Sequence, residues 1–291
     1  MSLSKLARPK VNLFLHVTGK RDDGYHLLES LVCFPCGGDR IEVSAADQIT
    51  ASVSGPFGAS IGTTDENLVV KAAKLLKTQF NITAGAHIHL EKNLPVASGI
   101  GGGSSNAAVC LQLLCELWNV TPSPEILSDI ALQLGADVPV CLAAVPALMT
   151  GIGEQVTPVA ALPNLHILLV NPLVAVSTPE VFKAINWSSL PAYDDYEDVG
   201  SSADGFIAKL AQTSNHLQAP AISLLPEIAT VLKMIEAQPD CLLSRMSGSG
   251  ATCFGLFNSA GEAAFAQKKI LEIKPDWWSL SSAINSEAQS Q

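Results

Sequence analysis

Residues 95–108, PVASGIGGGSSNAA, hold four glycines and three serines directly ahead of the apolar segment VCLQLLCELW. Glycine permits positive φ and close backbone approach, and a helix start offers an anion free N–H groups and the positive end of the dipole. A strand, HIHLEKNLPV, precedes this stretch and a helix follows, which is the outline of a phosphate cradle. Its residues are Pro95, Ser98, Gly99, Gly101, Gly102, Gly103, Ser104 and Ser105. A serine hydroxyl at its end can reach a phosphate oxygen or a metal. Two other nucleotide motifs are excluded, because no lysine follows the last glycine as in a P-loop and GIGGGS does not complete GxGxxG.

Other residues stand where chemistry could use them. KVNLFLHV alternates, so that Lys10, Asn12, Phe14 and His16 share one face of an expected strand over residues 10–17. Such a face can line a site or be an exposed edge. Asp137 is the lone acid at the mouth of ADVPVCLAAVPALMTGIG, either a turn or helix-end residue or a carboxylate kept in a partly desolvated site. A second glycine-serine loop, SGSGA, interrupts a strand at Ser247–Ala251. His87 and His89 share a strand face without a third metal ligand, and Cys33 and Cys36 form a CxxC without a second half. Both pairs read as structural.

The elements that must carry these residues alternate between helix and strand. Thr64 or Asp65 is expected to cap a helix bearing Leu68, Val69, Ala72, Leu75 and Leu76. Ser123 is expected to cap PEILSDIALQLG, with Pro124 in its first turn. LHILLVNP reads as a buried strand and STPEVFKAI as a helix. FIAKLAQ, PEIATVLKMIEA and EAAFAQKKILEI are further helices, and the tail bearing Trp277 and Trp278 is a strand. PAYDDYEDVGSSADG reads as an acidic, mobile surface loop. The class is α+β, in two expected domains over residues 1–155 and 156–291.

The chain has 291 residues, 48% of them hydrophobic and 15% charged, a balance that suits a compact enzyme with a large core. A formal net charge of −10 opposes general polyanion binding, so nucleic acid is not an expected partner, while a small anionic substrate remains open. Seven irregularly spaced cysteines fit a reducing compartment. No segment resembles a signal peptide or membrane span, and the expectation is a cytoplasmic chain without a membrane partner.

Four segments, ARPKVNLFLHV, PVASGIGGGSSNAA, LGADVPV and RMSGSGATCFGLF, together resemble the GHMP kinase superfamily and spread over nearly the whole chain. The element RDDGYH resembles the branch that acts on a CDP-linked methylerythritol in isoprenoid precursor synthesis. That resemblance implies the GHMP kinase fold, with an N-terminal ATP-binding domain like domain 2 of ribosomal protein S5 and a ferredoxin-like C-terminal substrate domain. It implies ATP and Mg²⁺ as cofactors and transfer of the γ-phosphoryl group to the acceptor's 2-hydroxyl. By matching position, Asp137 would accept the hydroxyl proton and Lys10 would stabilise the nucleophile. Asn67, Leu68 and Lys92 would line the adenine side, and the loop from Ser98 to Ser105 would cradle the phosphates, with Ser104 near the metal. Tyr25, His26 and Phe182 would read cytosine, Asn12 would touch the acceptor, and Gly248, Ser249 and Gly250 would close over substrate. Apart from the resemblance, Tyr25 and His26 read as turn residues and Phe182 as helix core. Ser98 stands where the family often has Gly or Ala, and Ile100 where Leu is commoner. A homoserine or mevalonate kinase is the nearest alternative, and an inactive nucleotide-binding protein on the same fold is another. A monomer or weak homodimer is expected.

Overall fold

The structure, a computed structural model, describes residues 2–159, 162–192 and 202–284. Most of the acidic segment expected as a surface loop, residues 193–201, lies outside the described residues. The first strands are β1 (Ser2–Ala7), β2 (Val11–Asn12), β3 (His16–Lys20), β4 (His26–Cys33), β5 (Asp39–Ala46), β6 (Thr50–Ser54) and β7 (Gly85–Glu91). They are followed by β8 (Ala147–Gly151), β9 (Gln155–Pro158), β10 (His166–Asn171), β11 (Leu243–Met246), β12 (Cys253–Phe257) and β13 (Trp278–Ala283). The helices are α1 (Leu68–Gln79), α2 (Gly102–Leu117), α3 (Pro124–Leu134), α4 (Val138–Ala143) and α5 (Thr178–Lys183), then α6 (Ala203–Ala211), α7 (Gln218–Leu224), α8 (Glu227–Glu236) and α9 (Ala260–Ile273). None of the described helices is long and apolar enough to cross a membrane.

By internal contacts the chain forms two compact units, each assembled from separated stretches. The first comprises Met1–Pro9, Gly37–Val96 and Gly101–Ala144. Its sheet has the order β1-β5-β7-β6, antiparallel except where β6 runs parallel to β7. Alternation decides which face is covered. Ile41, Val43, Ile88 and Leu90 are buried with Val69, Ala72, Ala73 and Leu76 of α1 and the apolar side of α2. On the other face His87 and His89 are bonded by Thr50, Ser52 and Ser54 at 2.8–3.0 Å, so this histidine pair belongs to a hydroxyl–imidazole ladder, as a structural reading expects.

The second unit comprises Lys10–Cys36, Ala97–Ile100 and Val145–Gln291. It holds one sheet of order β2-β4-β8-β9, to which β3 adds by pairing with β4, and an antiparallel sheet of order β11-β12-β10-β13. Leu168, Val170, Cys253 and Phe257 pack with Ile228, Val231 and Ile235 of α8 and Ala263, Ala266 and Ile270 of α9. Cys33 is buried in β4 and Cys36 is half-buried, and neither is in a disulfide.

Three local expectations need correction. The strand expected over residues 10–17 is two short strands, because its backbone changes partner. Leu13 N–H donates to Leu31 at 2.8 Å, whereas Leu15 pairs with Ser214 at 3.0 Å and His216 at 2.8 Å. Both sides are covered, so Lys10, Asn12 and His16 are buried along with their apolar neighbours, and no exposed edge face exists there. The cap of α1 is Asn67, whose Oδ1 accepts from Val69 N at 3.1 Å, rather than Thr64 or Asp65. Helix α7 was not anticipated, because Pro220 interrupts its apolar pattern. Ser123 does cap α3, and that helix ends at Gly135 as expected.

A buried histidine pair gives the second unit a pH dependence. The His16 and His216 rings lie 4.9 Å apart, and His216 Nδ1 accepts from Val17 N at 3.0 Å. Burial first, then the charges of His216 and Arg245, pull His16 down to about 4. Burial also lowers His216 from its ordinary value. Both folded-state values fall below the ordinary value of 6.5, so the unfolded chain takes up more protons as pH falls and stability is lost from about pH 6.5 toward 4. The apparent Tm should be lower at pH 4.5 than at pH 7 by roughly 5 °C, and His16→Gln should flatten that slope. An identical slope in the variant would remove His16 as its source.

Candidate functional site

Within the first unit, the start of α2 is the feature an anion would meet. Gly101 adopts φ +61 as the helix cap, and a left-handed cap favours glycine. The amides that follow have no carbonyl a turn earlier within the helix. Gly103 is exposed, Ser104 half-buried and Ser105 buried, with Ser105 Oγ donating to Cys141 Sγ at 3.3 Å. That bond ties the first turn of α2 to α4, which begins directly after Asp137. Asp137 is half-buried at the α4 cap position, with φ −83 and ψ −11. A carboxylate and the donor end of a long helix are therefore held by one pair of packed helices.

Beneath the same turn lies a buried ion pair. Lys92 Nζ donates to Asp39 Oδ2 at 2.5 Å, and both side chains are almost wholly inaccessible. Asp39 Oδ1 also accepts from Asn93 N at 2.7 Å and Leu94 N at 2.8 Å, anchoring the chain where it leaves β7 for buried Pro95. A Cβ on Gly102 would lie 3.2 Å from the Lys92 ammonium, so a glycine lets the helix start settle against it. Burial lowers Lys92 from the ordinary lysine value, and the Asp39 charge and hydrogen bond oppose that shift. Asn67 spends its side chain locally, capping α1 and donating to Gly62 O at 2.9 Å. Leu68 approaches the Gly103 position, 3.5 Å from where a Cβ would stand.

Within the second unit, the two glycine-serine loops meet backbone to backbone. Ser247 Oγ donates to Gly99 O at 3.0 Å, and Thr252 N donates to Ser98 O at 3.1 Å. Gly99 has φ +75, and a Cβ there would fall 2.6 Å from the carbonyls of Ser247 and Gly250. Gly248, at φ +54, would in turn put a Cβ 2.7 Å from Gly99 O. These glycines are thus demanded by loop–loop contact. Asn215 braces the second loop by donating to Met246 O and Gly248 O, both at 2.8 Å, and Thr178 shares a bond with Ser249 Oγ at 2.7 Å. Gly99→Ala should cost about 3 kcal/mol from left-handed strain and overpacking. A denaturation midpoint equal to that of the parent protein would contradict this packing.

Lys10 and Asn12 join the same assembly. Lys10 N donates to Ile100 O at 2.8 Å, and its ammonium donates to Asn12 Oδ1 at 3.2 Å. Asn12 Nδ2 donates to Ser30 Oγ at 2.7 Å, while its amide donates to Ser247 Oγ at 3.1 Å. A buried ammonium, an amide and two hydroxyls are therefore fixed beside both loops. Arg245 is also buried, pulled down to about 10 by desolvation, and donates to the carbonyls of Leu13, Leu210 and Thr213. It is structural, joining the stretch after β2 to the end of α6.

At the far end of β4, Gly24 (φ +92) turns the chain and leaves Tyr25 58% exposed. The His26 ring stacks on Phe182 with centroids 4.7 Å apart and planes 29° apart, and on Trp187 at 5.7 Å and 12°. Burial, then the charge of Lys20, lowers His26 from its ordinary value, favouring the neutral ring. Sequence reasoning missed Asp39, Ser30, Asn215, Thr252 and Trp187. An acid opening a strand, a serine inside one and a tryptophan after a helix carry no local signal; only their distant partners distinguish them.

Among the described residues, no group of three or more His, Cys, Asp or Glu is placed to hold a metal ion. The first turn of α2 supplies amides and the Ser104 hydroxyl, a donor set that fits a phosphate-borne Mg²⁺ better than a cation caged by protein.

The chain matches the GHMP kinases N-terminal domain over residues 67–144 and the GHMP kinases C-terminal domain over residues 203–275. It is 49% identical over 277 residues to the 4-diphosphocytidyl-2-C-methyl-D-erythritol kinase of Paramagnetospirillum magneticum, covering 95% of this chain and 96% of the relative. The relative of that name from Parvibaculum lavamentivorans is 45% identical over 278 residues, with the same coverages. Among solved structures, a 4-(cytidine 5'-diphospho)-2C-methyl-D-erythritol kinase superposes with a TM-score of 0.78 at 32% identity, covering 98% of this chain and all of the other. A homoserine kinase from Cytophaga hutchinsonii shares the fold, with a TM-score of 0.73 at 17% identity, covering 99% and 96% of the two chains.

Proposed function

Because the chain belongs to the GHMP kinase family of small-molecule phosphotransferases, we propose that it transfers the γ-phosphoryl group of ATP to the 2-hydroxyl of 4-diphosphocytidyl-2-C-methyl-D-erythritol. The observation that carries the choice of acceptor is the stack of His26 on Phe182. A homoserine or mevalonate kinase has no base to read, whereas a neutral imidazole offers one donor and one acceptor to the edge of cytosine. The near-full-length relatives bearing that name support the same acceptor.

In this reading the acceptor hydroxyl gives its proton to Asp137 as its oxygen bonds to the γ-phosphorus and the bond to the β,γ-bridging oxygen breaks, releasing ADP. Lys10, oriented by Asn12, stabilises the nucleophile's developing charge. The amides at the start of α2 hold donor phosphates, with Lys92 and Asp39 supporting that turn and Asn67 and Leu68 on the adenine side. Bound Mg²⁺ would supply charge neutralisation on the phosphates, and the Ser104 hydroxyl would be the protein group to hold it. Gly248 to Gly250 and Tyr25 complete the acceptor side.

Steady-state rates with the CDP-linked alcohol, homoserine and mevalonate test the proposal. Turnover of the first alone is expected; turnover of either other acceptor without it would overturn the assignment. His26→Ala should raise KM for the CDP-linked alcohol about tenfold, the scale of a lost stacking and edge contact, with a smaller effect on kcat. An unchanged KM would reject the cytosine reader.

A further inference from the structure

Trp187 is 46% exposed, yet it is not loosely held. It opens the short turn Trp187–Ser189, whose cap Asn186 accepts from Ser188 N at 3.2 Å and Ser188 Oγ at 2.8 Å. On either side, Phe182 and Leu190 pack against the core of the second unit. The segment is thus anchored at both ends and presents the indole to the His26 ring, the two planes lying within 12°. The Phe182 plane is tilted further, by 29°. Hydrophobic burial does not account for a fixed indole that is half in water. An imidazole beside one tilted ring can still swing about its outer torsion, because such torsions are broad. A second, nearly parallel ring removes that freedom and so aims the two ring nitrogens.

We propose that Trp187 is a positioning residue for base selection: it sets the plane of His26, and preference for a cytidine over a uridine diphosphate depends on it. This rests on the acceptor assignment above. Cytosine presents an amino donor beside a ring acceptor where uracil presents a carbonyl beside an N–H. A neutral imidazole has one donor and one acceptor, so it distinguishes the two only if its orientation is held. Loss of the indole therefore erodes discrimination more than it erodes phosphate binding.

The experiment measures CDP and UDP as competitive inhibitors of the CDP-linked alcohol in the parent enzyme, Trp187→Ala, Trp187→Leu and Trp187→Phe. Trp187→Ala and Trp187→Leu should weaken CDP about fivefold, move UDP less than about twofold and leave KM for ATP within about twofold, whereas the flat ring of Trp187→Phe should restore the CDP preference. Trp187→Leu keeps apolar bulk without a flat ring, so it decides the matter if the alanine variant does not fold. An unchanged CDP-to-UDP ratio in the leucine variant, or a parallel rise in KM for ATP, overturns the proposal. A parent enzyme that does not phosphorylate the CDP-linked alcohol overturns the acceptor assignment instead, so the two failures are distinguishable.

Discussion

Asp137→Asn is expected to lower kcat about a thousandfold, within the range a positioned general base supplies, while KM for ATP stays within about twofold. Asn is nearly isosteric with Asp, so the α4 start and its tie to α2 through Ser105 and Cys141 should survive. What is lost is the acceptor for the hydroxyl proton, an interaction that matters in the transition state and little in the ground state. Stopped-flow or steady-state rates with equilibrium ATP binding separate the two effects. A variant retaining more than about a tenth of parent kcat would remove Asp137 as the base, because a loss of less than about tenfold lies below the usual contribution of such a group.

Asp39→Ala should destabilise the first unit by about 3–5 kcal/mol, because it leaves the Lys92 ammonium buried without its counter-charge. The amides of Asn93 and Leu94 lose their acceptor at the same time. The double variant Asp39→Ala/Lys92→Met should recover about 2 kcal/mol by removing the uncompensated charge. If the double variant is no more stable than the single one, the cost comes from the backbone amides and the ion pair is not the cause. ATP binding to the double variant carries a second consequence. Since Lys92 lies against the first turn of α2, weaker ATP binding is expected even where stability is recovered.

How much of this was legible in the sequence follows from how local each signal is. The α3 caps, β7, β10 and the strand–loop–strand around SGSG all announce themselves through neighbouring residues, and those readings match the structure; the helix expected on VCLQLLCELW is α2, but it starts earlier, at Gly102, so that Gly102 to Ser105 of the expected loop form its first turn. The alternation over residues 10–17 left a site-lining face and an exposed edge equally open, and burial of Lys10, Asn12 and His16, with Lys10 and Asn12 bonded to each other and to distant groups, removes the edge. The composition of GIGGGS pointed to close approach without saying what approaches. For Gly99 it is the backbone of Ser247 and Gly250, which no local reading could pair with it. Trp187 was invisible for the opposite reason, since an aromatic in a short turn has no periodicity. Its meaning lies in His26, far earlier in the chain.

The proposed catalytic pair and the proposed base reader both carry consequences for one product. Incubating the protein with ATP, Mg²⁺ and the CDP-linked methylerythritol and following phosphorus by ³¹P NMR tests the central claim most directly. A new phosphomonoester resonance growing in step with ADP, with the diphosphate bridge of the acceptor intact and the new phosphorus coupled to C2 of the methylerythritol unit, is the predicted result. Growth of inorganic phosphate alone, or a phosphoester at another carbon, would contradict it.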